Sequence, residues 1–72
     1  MNAKEMRKVI EEKVIAHERA FRLELKRSGS DDALTRNFAY ASCALSELYE
    51  DLFGREAFEK LMEKNFPEIF KD

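Results

Sequence analysis

Six residues between positions 34 and 52 constrain the fold most strongly, because apolar side chains recur there at alternating steps of four and three. They are Leu34, Phe38, Ala41, Leu45, Leu48 and Leu52. This spacing places all six along one side of an α-helix and is typical of helices that pack along their length. The pattern predicts a helix over residues 32–53 that lies against another helix.

An earlier apolar series predicts a second long helix over residues 4–27. Its members recur every three or four residues and therefore share one face. A helix of that length is about 36 Å long and is not stable by propensity alone, so its apolar face must be buried against another element. The series is Met6, Ile10, Val14, His17, Phe21 and Leu25.

The segment between these helices has the composition of a tight turn. Residues 28–31 include a glycine that can adopt a left-handed conformation after a helix, and Ser30 or Asp31 can cap the next helix. Two long amphipathic helices with so short a connection form an antiparallel hairpin. The small side chains of Ala41 and Ala44 indicate where the two backbones approach most closely.

The remaining residues predict a shorter helix and a C-terminal clasp. Gly54 ends the second helix, residues 55–65 form the third, and Pro67 stops it. Residues 66–72 then fold back onto the bundle. The predicted fold class is therefore all-α, an antiparallel hairpin of two long helices with a shorter third helix.

The length of the chain makes a partner subunit a natural source of stability. Its 72 residues form one predicted domain, of a size at which stability is marginal unless a disulfide, a metal or another subunit supplements the core. Cys43 is the only cysteine, so no disulfide closes within the chain, and no Cys/His cluster has zinc-binding spacing. A monomeric three-helix bundle and a homodimer with a four-helix core both fit the pattern.

Charge is distributed unevenly along the chain. Residues 1–27 carry eight Lys/Arg and five Glu, a net charge of +3, whereas residues 28–72 carry five Lys/Arg and ten Asp/Glu, a net charge of −5. We interpret this complementarity as a basic helix packed beside acidic ones. The charged N-terminus is followed by neither a signal-peptide core nor a membrane-spanning run, which predicts a protein of the reducing cytoplasm with no membrane role.

No residue pattern indicates catalysis, a cofactor or a metal site. His17 belongs to the apolar series of the first helix and has no carboxylate one turn away, so it is interpreted as a packed core residue. Cys43 has no neighbour that would activate a thiolate. Two glycines do not make a phosphate-binding loop, and adjacent carboxylates such as Glu11 and Glu12 point in different directions. We therefore predict a non-enzymatic protein without a cofactor.

Two weaker apolar strips lie outside the main series and predict a contact surface. One follows the first helix, and the other lies on the side of the second helix away from Leu45. Part of this surplus covers the third helix, and the rest is available to another chain. The candidate interface residues are Val9, Ala16, Ala20, Leu23, Tyr40 and Cys43.

Direct binding to nucleic acid is disfavoured by charge. Arg19, Arg22 and Lys26 form only a short basic patch, and the third helix carries three glutamates that would face phosphates. The acidic C-terminal half fits the reverse role, an inhibitor of a nucleic-acid-binding protein, although Lys60 and Lys64 interrupt the acidic run. The candidate acidic surface consists of Glu47, Glu50, Asp51, Glu56, Glu59 and Glu63.

The functional prediction is a small helical protein–protein interaction module that self-associates. The alternative is a small acidic inhibitor or regulator of a nucleic-acid-binding protein, of the phage or mobile-element type. The helical hairpin with its segment Leu-Tyr-Glu-Asp-Leu-Phe-Gly at residues 48–54 resembles small bacterial or phage open reading frames. This resemblance concerns only the general helical pattern and implies no site residues.

Overall fold

Three helices make up most of the computed structural model, which describes residues 1–70. Helix α1 spans Ala3–Ser28, α2 spans Ala33–Phe53 and α3 spans Arg55–Asn65, and a 3-10 turn follows at Pro67–Phe70. Helices α1 and α2 form an antiparallel hairpin, α3 packs against its open end, and no strand occurs in the described part of the chain. The predicted fold class is confirmed.

Side-chain caps and glycines determine where the helices begin and end. The side-chain oxygen of Asn2 accepts the backbone N–H of Glu5 at 2.8 Å, and Asp32 accepts that of Thr35 at 3.1 Å. These bonds satisfy amide groups that have no partner within a helix. The cap of α2 is therefore Asp32 rather than Ser30 or Asp31, because α1 continues to Ser28 and the turn comes one residue later than expected.

Gly54 joins α2 directly to α3 in a conformation that side chains rarely adopt, with φ +93° and ψ 160°. We expect Gly54→Ala to lower the free energy of unfolding by roughly 1–3 kcal/mol, because the backbone is strained by any Cβ even though open space surrounds it. Urea unfolding at matched protein concentration measures the change. Ser30→Ala, in the exposed turn of the hairpin, is the control and should leave the urea concentration at the unfolding midpoint unchanged. An unchanged midpoint for Gly54→Ala as well would contradict the strained backbone conformation at position 54.

The buried core lies at the end of the hairpin that α3 covers. Val14 of α1, Tyr49 of α2, Met62 of α3 and Phe66 beyond it are all buried. The Tyr49 ring stacks at a tilt on Phe53, with centroids 4.9 Å apart. Seven half-buried residues surround this group: Ile10, Ile15, Leu45, Phe53, Ala57, Phe58 and Leu61.

The predicted C-terminal clasp is only partly described. Phe66 is buried against α1, where the guanidinium carbons of Arg19 and Arg22 lie 5.5 and 5.1 Å from its ring centroid. The side chain of Ile69 is exposed. Residues 71 and 72, which the predicted clasp included, lie outside the described residues.

The contact between α1 and α2 runs along a polar series of α2. Thr35, Ser42 and Tyr49 are seven residues apart and are the only residues of α2 that are fully buried. Ser42 donates its hydroxyl to Glu18 Oε1 at 2.8 Å, and Tyr49 donates to Glu11 Oε2 at 2.6 Å. Buried hydroxyls are stable in such a seam because each has a partner. We call this series the polar seam.

The polar seam corrects the expected packing of the hairpin. Ala44 is exposed and Ala41 is half-buried, so these two alanines are not where the backbones meet. The physical reason lies in α1, where Glu11 and Glu18 stand beside Val14 on the face toward α2. Two carboxylates against leucines would lose water without gaining a partner, whereas hydroxyls bind them.

Candidate interaction surface

Rotation of α2 toward its polar seam leaves the 4–3 apolar series on an outer side of the hairpin. Leu34, Leu48 and Leu52 are 44%, 45% and 55% exposed. The other three members of the series are half-buried. We call the whole series the leucine face, and it consists of Leu34, Phe38, Ala41, Leu45, Leu48 and Leu52.

Helix α3 covers a different side of α2. Glu50 of α2 forms an ion pair with Arg55 at the start of α3, with 3.5 Å between Oε2 and Nη1, and the rings of Tyr49 and Phe58 lie 6.4 Å apart. Leu48 and Leu52 are 45% and 55% exposed, so α3 does not cover them. Leu45 packs against the core from the same face. The exposed part of the leucine face is therefore Leu34, Leu48 and Leu52.

A hollow adjoins the turn end of the leucine face. It has a volume of about 530 Å³ and brings Phe38 of α2 next to Ala20 and Leu23 of α1. Its other lining residues are Glu24, Lys26 and Arg27. An apolar hollow rimmed by charge has the form of a pocket that receives a side chain from a partner.

The six predicted interface residues do not form one surface. Val9 and Ala16 are exposed on the side of α1 away from α2, and Tyr40, which is 70% exposed, lies on the side of α2 away from α1. The body of the hairpin therefore separates Val9 and Ala16 from Tyr40. Ala20 and Leu23 line the hollow beside Phe38, and Cys43 lines a separate groove of about 340 Å³ that includes Phe58.

Ion pairs occupy half of the predicted acidic surface. Arg55 lies 3.5 Å from Glu50 and 3.2 Å from Glu59, and Lys60 lies 3.2 Å from Glu56. Such exposed pairs contribute little stability but lower the local negative potential. The remaining members of the set, Glu47, Asp51 and Glu63, are exposed.

Among the residues that the structure describes, His17 and Cys43 have no charged side chain as a hydrogen-bond partner. His17 is half-buried, and its Nδ1–H donates to the carbonyl oxygen of Lys13 at 2.9 Å, one turn earlier on the same helix. A backbone carbonyl can only accept, so this contact fixes the proton on Nδ1. Cys43 is an exposed thiol.

The strongest polar cluster lies where α1 meets the end of α2. Tyr49 donates to Glu11, and Arg7 lies 3.3 Å from both the Tyr49 hydroxyl and Glu11 Oε2, while its guanidinium carbon is 4.5 Å from the Phe53 ring centroid. Burial raises the pKa of the Tyr49 phenol above its ordinary value of 10.0, and the hydrogen bond to Glu11 raises it further. Hydrogen bonds to Tyr49 and Glu11 also raise the pKa of Arg7. The cluster thus joins α1 to α2 through hydrogen bonds.

This cluster predicts a pH dependence of stability. The folded protein holds the Tyr49 proton more tightly than the unfolded chain does, so unfolding releases a proton and becomes easier as the pH rises above about 10. We expect Tyr49→Phe to flatten that fall and to lower the free energy of unfolding by about 1–2 kcal/mol at neutral pH, through loss of the hydrogen bond to Glu11. Urea titrations between neutral and alkaline pH measure both effects. Tyr40→Phe, on the exposed side of α2, should keep the steep fall; a Tyr49→Phe variant that keeps it too would refute the role of this phenol.

Comparison with known protein families, with curated proteins and with solved structures finds no match to this chain. Within residues 1–70, no helix combines the length and the apolar character needed to cross a membrane.

The sequence predicts the apolar series of the leucine face, but it does not indicate that this series lies outside the contact between α1 and α2. The missing signal was a second seven-residue repeat in the same helix, Thr35, Ser42 and Tyr49, matched by Glu11 and Glu18 on α1. Two antiparallel series of hydroxyls and carboxylates at the same spacing indicate a polar contact between helices. That contact leaves Leu34, Leu48 and Leu52 of the apolar series exposed.

Proposed function

We propose that this protein is a non-enzymatic helical protein–protein interaction module and that the leucine face is its binding surface. The observation that supports the proposal best is the half-exposure of three leucines in one line along α2. Single exposed apolar residues are ordinary on a protein surface, but a continuous row is typical of a surface that another chain covers.

The total surface of the chain agrees with this function. Its solvent-accessible surface is 5485 Å², whereas a folded monomer of 8.5 kDa is expected to expose about 4,700 Å². The excess of about 800 Å² is area that a compact monomer of this mass would have buried. The radius of gyration, 12.9 Å, likewise exceeds the roughly 11 Å expected for 72 residues.

Photo-crosslinking in the expressing cell tests the proposal. We expect benzoylphenylalanine at position 48 to form a covalent adduct with a protein, because Leu48 belongs to the leucine face and is 45% exposed. The same group at position 43 is the control, since Cys43 is exposed and lies about 140° around α2 from Leu48. An adduct at neither position, or at position 43 alone, would refute the leucine face as the binding surface.

The alternative function, an acidic inhibitor of a nucleic-acid-binding protein, has weaker support. Arg55 and Lys60 engage three of the six carboxylates that would mimic phosphates. Phosphate mimicry requires a continuous negative potential, and internal cations interrupt it. Salt-sensitive capture of a nucleic-acid-binding protein, lost in a Glu59→Lys/Glu63→Lys variant, would be the result expected of that function.

A further inference from the structure

The leucine face has a spacing that matches itself when reversed. Its steps from Leu34 to Leu52 are four, three, four, three and four, which read the same in both directions. A two-fold axis at the level of residue 43 therefore places Leu34 opposite Leu52 of a second copy. The same axis pairs Phe38 with Leu48, and Ala41 with Leu45. An isologous interface requires this kind of self-complementarity.

We propose that the occupant of the leucine face is a second copy of this chain, with α2 antiparallel to α2 of the other subunit. This inference rests on the proposed function and names its partner. Near the two-fold axis, the small side chain of Ala41 leaves space for Leu45 of the other copy. The two hairpins then enclose one four-helix core.

The flank of the leucine face permits this approach. Asn37, Ala44 and Asp51 lie along the side of α2 away from α1, again seven residues apart. Reversal brings Ala44 beside Ala44 of the other copy near the axis and brings Asn37 beside Asp51. The centre of this flank is therefore a pair of small alanine side chains. At each end, the amide of Asn37 lies opposite the carboxylate of Asp51, so these pairs bring no like charges together.

Area also fits a second copy. The excess surface of about 800 Å² is close to the area that each partner contributes to an interface of standard size.

Sedimentation equilibrium of the full chain over a wide concentration range is the first test. We expect a dimer whose dissociation constant rises roughly 100-fold or more in Leu48→Glu, because both copies then place a carboxylate in the apolar contact. Leu52→Glu is a second variant. Cys43→Glu is the matched control that should remain dimeric, because Cys43 is exposed on the side of α2 opposite the leucine face. Circular dichroism must show unchanged helicity, as expected for side chains that are about half exposed or more.

Crosslinking with a short bis-maleimide tests the orientation. In a Cys43→Ser background, we expect Ala44→Cys to give a covalent dimer, because residue 44 lies beside its mate near the axis. Asn37→Cys alone should not, since antiparallel mates are about 18 Å apart along the helix. The double variant Asn37→Cys/Asp51→Cys should crosslink. Efficient crosslinking of Asn37→Cys alone would indicate a parallel dimer and overturn the proposed arrangement.

The outcomes separate this inference from the proposed function. A chain that stays monomeric at all concentrations, yet forms an adduct with a different protein at position 48, overturns the second copy as occupant and keeps the leucine face as an interaction surface. A dimer that Leu48→Glu and Leu52→Glu both leave intact overturns the leucine face itself, and with it the proposed function. A dimer lost in both variants and kept in Cys43→Glu supports the inference.

Discussion

Phe66→Ala is expected to lower the free energy of unfolding by about 3–5 kcal/mol, one of the two largest effects in this chain. Phe66 is 4% exposed and packs with Val14, Tyr49 and Met62, so its removal leaves a cavity where all three helices meet. The loss is large against the roughly 4–11 kcal/mol typical of 72 residues. Urea unfolding followed by circular dichroism measures it.

The neighbouring apolar residue supplies the control for this prediction. Ile69 follows Phe66 by three residues but is exposed, so Ile69→Ala should lower the free energy of unfolding by less than about 1 kcal/mol. Protein concentration must be the same in all samples, because self-association adds to apparent stability. Equal losses for the two alanine variants would show that Phe66 does not anchor the C-terminal end of α3.

Val14→Asp is expected to abolish the folded state at neutral pH. Val14 is 0% exposed and lies beside Tyr49, Met62 and Phe66, so the new carboxylate would be buried without a cation or a hydrogen-bond donor provided for it. Burial of an unpaired charge costs several kcal/mol, which is comparable with the whole stability of a chain of this length. Circular dichroism should show the helical signal lost at neutral pH and partly restored under mildly acidic conditions, where the carboxyl group is neutral.

Val9→Asp is the matched control on the same helix. Val9 is partly exposed on the side of α1 away from α2, so its carboxylate remains hydrated and the free energy of unfolding should change by about 0.5 kcal/mol or less. A fully helical Val14→Asp protein at neutral pH would contradict the position of the core. A strongly destabilised Val9→Asp protein would instead indicate that the outer strip of α1 is covered.

The helices themselves were predictable because their signals are local. The apolar spacing, Gly54 and Pro67 all act within a few residues, and the observed spans of α1, α2 and α3 follow them closely. The rotation of α2 was not predictable from apolar spacing alone. It depends on the hydrogen bonds that Ser42 and Tyr49 make with residues more than 20 positions away, and a pattern search weighted toward leucines overlooks hydroxyls.

The exposed surfaces also depend on how the helices pack, which the sequence of each helix alone does not determine. The outer strips at Val9 and Tyr40 were predicted from each helix taken separately, and the structure places them on opposite sides of the hairpin. The leucine face was visible in the sequence, but its availability became apparent only once the polar seam was known to occupy the contact with α1. The ion pairs of Arg55 similarly reduce an acidic surface that the sequence presents as a row of free carboxylates.

The polar seam has a consequence for how this protein can change over time. Folding of the hairpin depends on Ser42 and Tyr49, whereas the leucine face occupies other positions of the same helix. Under the proposed function, substitutions at positions 34, 48 or 52 would alter what the leucine face binds and would leave the hydrogen bonds of the hairpin in place. Separate sides of one helix for folding and for binding would then allow a lineage to exchange partners, or to split one self-pairing protein into two that pair only with each other, without first finding a new fold.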